Sequence, residues 1–430
     1  MNVIIIGNGV SGITAAIKIR QNSNYKITVI SQESKYFYSR TALMYIYMGQ
    51  MQLKDTQPYE NWFWDKNDIK LLQHSVKKID FDNKIIQFEN NDSTILYDIL
   101  IIATGSLPNK YNCIRNELNG VRSLYHLQDL DYIESLSKNI KNAVIVGGGL
   151  IGVELAEMLQ SRNISVTFLV KDSAFWRKSL PEQEAKMINN HLIDHQIDLR
   201  LNTELKEIIG NKGNVIGVET KSNEFIPCEF VGITIGVRPN IEFIKNTKLE
   251  YNQGVLVDDF LQTNIPNVYA IGDCAEIRNP NFGRKPIEAV WYTAKMMGEI
   301  VAKTICGYPT AYQPGIWYNS AKFFELEYQT YGSISTVANT EIESLFWMDE
   351  SQKKSIRIDY SKVNQNVLGF NLIGIRYRQN VCENWIKHRI SIEYVINNLK
   401  EANFDPEFFK KYESHIKQLF IEKQKNGNYK

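Results

Sequence analysis

The stretch NVIIIGNGVSGITAAIKIRQNSNYKITVISQES, residues 2–34, determines the fold that this sequence predicts. Its apolar run at 3–6 predicts a buried parallel strand, which is followed by a helix and by a second strand at KITVI. Between strand and helix, Gly7, Gly9 and Gly12 form a GxGxxG pattern. The first glycine permits a tight turn, the second lets backbone approach a pyrophosphate, and the third lets the helix pack on the strand. A dinucleotide-binding unit is therefore predicted, and a turn that binds nothing is the alternative.

The residues around this turn supply further candidate contacts. Val10 and Ser11 open the helix, where free N–H groups and the helix dipole attract phosphate. Glu33 follows the second strand and is predicted to accept a hydrogen bond from a ribose hydroxyl, although Ser31 is nearer to the strand end.

The same pattern returns in NAVIVGGGLIGVELAEMLQSRNISVTFLVKDS, residues 142–173. The candidate nucleotide contacts are its three glycines and the first two residues of its helix, namely Gly147, Gly149, Gly152, Leu150 and Ile151. Two fingerprints in one chain predict two dinucleotides. FAD and NAD(P)H are the expected pair, because a flavin accepts hydride from a nicotinamide.

Two further apolar strands end in short motifs. YDILIIATGSLPNK (97–110) contains Ala103, Thr104 and Gly105, and NVYAIGDCAE (267–276) contains Gly272 and Asp273. With both fingerprints, these motifs occur in an order that resembles the pyridine nucleotide–disulfide oxidoreductase superfamily over about residues 1–312. The resemblance implies that the ATG stretch closes the first FAD segment and that Asp273 binds the ribityl chain of FAD. Without the resemblance, Asp273 could equally cap a helix.

The resemblance also implies the domain organisation. The fold class is α/β, with two nested Rossmann-like dinucleotide-binding domains and a C-terminal α+β domain. The expected boundaries are 1–112 and 233–313 for a discontinuous FAD-binding domain, 113–232 for the NAD(P)H-binding domain, and 314–430 for the C-terminal domain with a helical extension.

Two later stretches match the same superfamily. GITIGVRPN (232–240) is similar to the strand that returns to the FAD domain, and it supplies Gly236 as a candidate. PIEAVWYTAKMMG (286–298) resembles the helix whose N-terminus approaches the flavin pyrimidine ring. Glu288 and Ala289 at its start are implied contacts through their backbone only, where a helix dipole would stabilise negative charge.

The segment YSRTALMYIYMG (38–49) has no cysteine, whereas the disulfide and peroxidase branches of the superfamily carry their redox-active sulfur here. Since that chemistry needs a thiolate beside the flavin, we expect it to be absent. The segment resembles reductases of rubredoxin, ferredoxin and similar carriers, and the flavin module of NAD(P)H nitrite reductases, through a Y-x-R at Tyr38 and Arg40. Arg40 is implied to direct its guanidinium toward flavin or pyrophosphate, and a surface salt bridge is the alternative.

One position departs from that branch. Many of its members have a lysine five residues after the arginine, and Tyr45 stands there instead. Glu154 matches a glutamate that in that branch lies by the nicotinamide and pairs with that lysine, which this chain lacks at the matching position. It is expected to orient the carboxamide, or else to be a solvent-exposed helix residue.

The end of the second fingerprint bears on the choice of nicotinamide. Val170 stands where NAD enzymes place an acid, and Lys171 and Arg177 follow. This basic spacing favours NADPH. Gly152 and the acidic Asp172 favour NADH, which stays the alternative.

Composition limits the partners. The net charge is +1, with 49 basic and 48 acidic residues, so no field attracts nucleic acid. No run approaches the roughly 18 apolar residues of a membrane span. Five scattered cysteines predict a reducing, cytoplasmic location without disulfides, and Cys382 is expected to be buried and inert rather than reactive. We recognise no metal-ligand spacing among the six histidines and expect no metal.

The predicted function is that of an FAD-dependent NAD(P)H oxidoreductase. Electrons are expected to pass from the nicotinamide through the flavin to an external acceptor, in the first place a small rubredoxin- or ferredoxin-like carrier protein. The alternatives are an NAD(P)H oxidase or quinone reductase, and a redox-sensing flavoprotein with little turnover. After 313, alternating aromatic and β-branched residues predict antiparallel strands and then helices, a domain that in the superfamily often forms a homodimer.

Overall fold

The structure, a computed structural model, describes residues 1–89, 93–110, 117–281, 283–404, 407 and 410–427. The chain forms two compact units. Unit 1 comprises 1–112, 123–138 and 235–314, and unit 2 comprises 113–122, 139–234 and 315–430. The predicted domain boundary at 112/113 lies outside the described residues, and the predicted boundaries remain predictions.

The strands are numbered in chain order. They are β1 Asn2–Ile6, β2 Lys26–Ser31, β3 Ile69–Gln73, β4 Val76–Asp80, β5 Ile85–Phe88, β6 Thr94–Leu96, β7 Ile99–Ile102, β8 Ser106–Pro108, β9 Val121–Arg122, β10 Asn142–Val146, β11 Ser165–Leu169, β12 Asp198–Arg200, β13 Leu205–Asn211, β14 Asn214–Thr220, β15 Phe225–Pro227, β16 Phe230–Ile233, β17 Val237–Pro239, β18 Val255–Val257, β19 Val268–Ala270, β20 Ala275–Ile277, β21 Tyr318–Phe323, β22 Leu326–Gly332, β23 Ile342–Met348, β24 Ser355–Ser361 and β25 Val367–Ile373.

The α-helices are numbered in the same way. They are α1 Val10–Asn22, α2 Leu43–Tyr47, α3 Asn61–Lys66, α4 Leu127–Ser137, α5 Leu150–Gln160, α6 Glu182–Asp194, α7 Trp291–Ile305, α8 Gln379–Lys387, α9 Ile392–Asn398 and α10 Glu413–Gly427. In the described parts of the chain, none of these helices has the length and apolar character that crossing a membrane requires.

Unit 1 is built on a five-stranded parallel sheet with the order β19-β7-β1-β2-β3. The central strand β1 is apolar along almost its whole length because both faces of the sheet are covered. Helix α1 follows it and packs closely on α7, where Gly298 allows the approach: a Cβ there would lie 2.5 Å from the backbone oxygen of Ser11. The first fingerprint thus lies at the carboxyl end of a central buried strand.

Unit 2 contains a second parallel sheet of the same design, with the order β12-β11-β10-β16-β9. Here β10 is central, and the second fingerprint connects it to α5. A three-stranded antiparallel sheet of β13, β14 and β15 accompanies it.

Unit 2 also contains the predicted C-terminal strands. They form an antiparallel sheet with the order β21-β22-β25-β24-β23, which packs with α8, α9 and α10 around one apolar core. Within this unit, Arg357 of β24 forms a buried ion pair with Glu184 of α6 at 2.6 Å. The predicted fold class, α/β with a C-terminal α+β region, is confirmed.

Candidate nucleotide-binding sites

The first glycine turn, in unit 1, is sterically closed except at one position. Gly7 has φ +116°, and a Cβ there would lie 2.0 Å from the backbone oxygen of Ala103. A Cβ on Gly12 would lie 2.1 Å from the oxygen of Gly7. By contrast, a Cβ on Gly9 would meet nothing within 4 Å. The fold therefore needs glycine at positions 7 and 12. Gly9 leaves open space in front of the turn, as a pyrophosphate requires.

The N-terminus of α1 has the features of an anion-binding helix end. Gly9 is its N-cap, no side chain caps the helix, and its first turn carries no acidic residue. The backbone N–H groups of Val10 and Ser11 begin the helix at this open point. Since the first N–H groups of a helix have no partner within the helix, this is the place where phosphate binds most favourably.

Glu33 lies two residues past β2, where the sequence predicted it, and its carboxylate is the centre of a polar cluster. Arg40 spans both oxygens, at 2.6 Å from Nη2 to Oε2 and 3.2 Å from Nη1 to Oε1. The hydroxyl of Tyr38 donates a hydrogen bond to Oε1. The backbone N–H of Leu127 donates a second one to the same oxygen at 3.0 Å. The ring nitrogen Nδ1 of His126 lies 3.1 Å from Oε2.

This cluster fixes the charge of Glu33. Burial by itself raises the pKa of the carboxyl, but His126, Arg40 and Tyr38 outweigh burial and hold the pKa well below its ordinary value. Arg40 also donates to the backbone carbonyl of Tyr125 and lies 4.6 Å from the centre of that ring. Its guanidinium therefore faces Glu33 and Tyr125, and the implied contact of Arg40 with flavin or pyrophosphate stays a prediction.

The ATG and GD motifs lie beside the first turn. Ala103 follows β7 and touches Gly7, and Thr104 donates its hydroxyl to the carbonyl of Asn240 at 2.7 Å. Gly272 has φ +72°, and a Cβ there would lie 2.6 Å from the hydroxyl of Ser11. The structure thus brings the first fingerprint, the ATG stretch and the GD loop together in unit 1.

Asp273 is held in this loop by a neighbouring hydroxyl group. Ser106 donates its hydroxyl to Oδ2 of Asp273 at 2.7 Å. Burial raises the pKa of Asp273, although Ser106 and Arg40 act in the opposite direction. A half-buried carboxylate with one oxygen engaged suits recognition of a hydroxyl-rich chain.

The remaining candidates of unit 1 are backbone positions. Gly105 and Gly236 both have positive φ, at +66° and +91°, and they flank the antiparallel pair of β8 and β17. Helix α7 begins at Trp291, after Glu288 and Ala289, and no side chain caps it. The carboxylate of Glu288 forms a buried pair with Arg284, at 2.7 Å from Nε, which removes it from the helix end.

The second glycine turn, in unit 2, repeats the geometry of the first. Gly147 has φ +116°, and Gly149 is the uncapped N-cap of α5, which opens with Leu150 and Ile151. A Cβ on Gly149 would come no closer than 4.0 Å to another atom, the oxygen of Thr234. A Cβ on Gly152 would lie 2.9 Å from the oxygen of Gly147 and from the ring of Phe168.

Glu154, on α5, is electrostatically unlike Glu33. Burial, and secondarily the neighbouring Glu157, raise the pKa of its carboxyl to about 7. Tyr45, which stands where the family resemblance implied a lysine partner, lies on α2 of unit 1. Glu154 is therefore not a simple solvent-facing helix residue, and its contact with a nicotinamide stays a prediction.

The segment after β11 carries the residues predicted to select the nicotinamide. The position where NAD enzymes place an acid is occupied by Val170, which is buried and packs on Gly148. Lys171 is exposed. Arg177 donates to the backbone carbonyls of Leu180 at 3.2 Å and Thr336 at 2.8 Å, so its guanidinium is already engaged.

A family model described as pyridine nucleotide-disulphide oxidoreductase matches residues 1–298, which is more than half of the chain. The chain belongs to this family. It is therefore a flavin- and nicotinamide-dependent oxidoreductase, and the predicted enzyme class is confirmed.

Two named proteins are each 29% identical in sequence to this chain. The rubredoxin-NAD(+) reductase of Pseudomonas putida is 29% identical over 323 residues, which cover 74% of this chain and 83% of the relative. The NAD(P)H nitrite reductase of Bacillus subtilis (strain 168) is 29% identical over 312 residues, which cover 72% of this chain but 38% of the relative. The crystal structure of a covalent putidaredoxin reductase–putidaredoxin complex matches this chain with a TM-score of 0.82 at 19% identity. The match covers 98% of each chain and supports the fold.

The family is named for disulfide chemistry, but the described thiols are poorly placed for it. Cys274 follows Asp273 directly, yet it is buried, its thiol lies 3.4 Å from the carbonyl of Ile102, and burial raises its pKa. Cys382 is fully buried in the C-terminal core, as expected, and burial raises the pKa of its thiol. Cys113 lies outside the described residues.

Sequence reasoning missed several members of these sites. His126, Tyr125 and Ser106 contact Glu33, Arg40 and Asp273 across separations of 85 to 167 residues. The only local signal was the position of Ser106 directly after the ATG stretch. A single sequence offers no signal for the other two.

Proposed function

We propose that this chain binds FAD in unit 1, accepts hydride equivalents from NADPH bound by unit 2, and passes electrons to a small iron–sulfur carrier protein. The observation that carries this proposal is the first flavin segment. It keeps the glycine turn, Glu33, Tyr38 and Arg40 but has no cysteine between 31 and 49. A flavin site without a neighbouring thiol has to deliver its electrons outside the protein.

The residues of unit 1 fit the FAD that we propose. The open space at Gly9 and the uncapped start of α1 suit the pyrophosphate, and the half-buried carboxylate of Asp273 suits the ribityl hydroxyls. Glu33 would bind the ribose, with Arg40 holding the carboxylate ionised and oriented. When bound, FAD supplies a two-electron store that can be emptied in one-electron steps.

The acceptor is proposed from relatives. The names rubredoxin-NAD(+) reductase and NADH-rubredoxin oxidoreductase describe electron delivery to small iron proteins, and the putidaredoxin complex describes a reductase joined to its carrier. We propose the same class of partner here, and a cytoplasmic setting because the five cysteines are scattered. A homodimer remains a prediction.

The test is an anaerobic stopped-flow experiment followed by mixing with carriers. The flavin-loaded chain is reduced with NADPH and then mixed with a rubredoxin or a [2Fe–2S] ferredoxin, and carrier reduction is compared with oxygen consumption in air. We expect carrier reduction to exceed the rate of reaction with oxygen. Oxygen consumption that accounts for all NADPH oxidation would contradict the proposal, and so would flavin reduction too slow for turnover.

The preference for NADPH has its own test in Lys171. This exposed side chain directly follows the buried Val170 and could meet a 2′-phosphate, whereas the guanidinium of Arg177 is engaged by two carbonyls. Lys171→Glu is expected to lower kcat/KM for NADPH at least about tenfold more than for NADH, because like charges repel. Lys178→Glu, at an exposed position of the same segment, is the control, and equal losses with both cofactors would contradict the preference.

A further inference from the structure

Three metal-ligating side chains converge in unit 2 away from the second glycine turn. His191 lies on the last turns of α6, and His195 follows four residues later, directly after the end of the helix. Glu325 lies in the two-residue turn between β21 and β22. One ligand atom from each of the three side chains lies within 4.8 Å of the other two. The spacing of the two histidines places both rings on the same face of α6, which the sequence analysis did not recognise.

A hydrogen bond to the backbone fixes the tautomer of His195, so that its Nε2 atom is an acceptor. Nδ1 of His195 lies 2.9 Å from the carbonyl oxygen of His191. Since a carbonyl accepts, Nδ1 carries a hydrogen, and Nε2 presents its lone pair. Nε2 in turn lies 2.9 Å from Oε2 of Glu325. Two electron-rich atoms at this distance repel each other unless a second proton or a cation lies between them.

His191 supplies the third position. Its ring is 3% exposed, and its Nε2 lies 3.7 Å from Oε2 of Glu325 and 3.0 Å from the carbonyl of Phe323. Its Nδ1 is buried and has no hydrogen-bond partner among the described residues. A metal ion at Nε2 would replace the bond to Phe323 and shift the ring proton to Nδ1.

The hairpin turn is held over this histidine pair at a conformational cost. Phe324 has φ +54°, which is unfavourable for a bulky side chain. Its ring stacks on that of His195, with centroids 4.2 Å apart and planes inclined by 25°. Glu325 is the next residue, and its side chain, which is 62% exposed, lies beside the two histidine rings.

We propose that His191, His195 and Glu325 bind a divalent transition-metal ion, with Zn²⁺ as the best match. Zinc takes two imidazoles and a carboxylate readily, at bond lengths of about 2.0–2.2 Å, which places tetrahedral ligand atoms roughly 3.3–3.5 Å apart. The observed separations of 2.9 Å and 3.7 Å lie on either side of this value. The fourth position is open to water. The ion would join α6 to the β21–β22 hairpin within unit 2.

The test uses the full flavin-loaded chain after treatment with a chelator. Zn²⁺ is titrated by calorimetry, and Co²⁺ is added separately because its visible absorption reports tetrahedral coordination. We expect one ion per chain, a tetrahedral Co²⁺ spectrum, and affinities at least about tenfold weaker in His195→Gln and in Glu325→Gln, since even loss of an outer partner of a ligand costs this much.

His388→Gln is the matched control. His388 also directly follows a helix, and its Nδ1 lies 3.0 Å from the carbonyl four residues earlier, but residue 384 is an asparagine. This variant should bind like the unaltered chain. Flavin content verifies that each variant is folded. If the unaltered chain binds no ion, or if His195→Gln and Glu325→Gln bind as tightly as His388→Gln, a proton alone occupies the gap and the proposal is overturned.

Discussion

The two glycine turns have the same backbone geometry but opposite electrostatics. Gly7 and Gly147 share a φ of +116°, and each follows the central strand of a five-stranded parallel sheet. In unit 1, Glu33 is bound by three side chains and a backbone N–H, and its pKa is lowered. In unit 2, the residue after the corresponding strand is the buried Val170, and Glu154 on the fingerprint helix has its pKa raised to about 7. The shared turn suits phosphate in both units, and we propose that the surrounding side chains determine which dinucleotide fits.

The largest effect is expected from closing the first turn. Gly7→Ala places a Cβ at φ +116° and 2.0 Å from backbone, which should cost about 2–6 kcal/mol of apparent stability, the sum of backbone strain and overpacking. The measurement is the thermal midpoint together with flavin content per chain.

Gly9→Ala is the control for this prediction. A Cβ at Gly9 meets nothing within 4 Å, so the fold should be retained while flavin affinity falls about tenfold or more. If Gly7→Ala is as stable as Gly9→Ala, the steric difference between the two positions is refuted.

The raised pKa of Glu154 predicts a loss of stability with rising pH. The folded carboxyl titrates at about 7 and the unfolded one at 4.5, so the folded state holds the proton more tightly between these values. The contribution of Glu154 to the free energy of unfolding is therefore fully present below pH 4.5 and is lost as the pH rises toward 7. Glu154→Gln mimics the protonated form and should gain up to about 3 kcal/mol over the unaltered chain at pH 8. Denaturant unfolding at pH 5 and pH 8 measures this, and a gain that is the same at both values would contradict it.

Glu33 is expected to show the opposite sign and a smaller effect. Its pKa is lowered in the folded state, so its contribution is present above 4.5 and is lost as pH falls below that value. Glu33→Gln should cost about 1–2 kcal/mol at pH 7, because Arg40 is partly exposed and solvent screens the pair. The difference between variant and unaltered chain should shrink in acid, and a difference that grows in acid would show that the pair is not responsible.

The comparison also separates what a sequence can predict from what it cannot. Both turns, the parallel strands and the place of Glu33 follow from local patterns, and all lie where the patterns put them. Two partners of Glu33, His126 and Leu127, are more than ninety residues away, and Arg177 is bound by Thr336. Such contacts depend on how distant segments meet, and one sequence carries no record of that.

Two further expectations show that contacts between residues closer in sequence are also hard to predict. Arg40 was expected to point toward the cofactor, and the structure adds that Glu33 and the carbonyl of Tyr125 both hold its guanidinium. Glu288 was expected at the start of a helix; α7 begins at Trp291, and the carboxylate of Glu288 pairs with Arg284. In both cases the structure shows an ion pair of the charged side chain that the sequence analysis did not predict.

The most direct measurement of the proposed electron path is an anaerobic reductive titration of the flavin-loaded chain. With no thiol exchanging electrons with the flavin, we expect two electrons from NADPH or dithionite to reduce each bound flavin completely, with no thiolate-to-flavin charge-transfer band. An uptake of four electrons per flavin, or such a band at long wavelength, would show a participating disulfide and contradict this path.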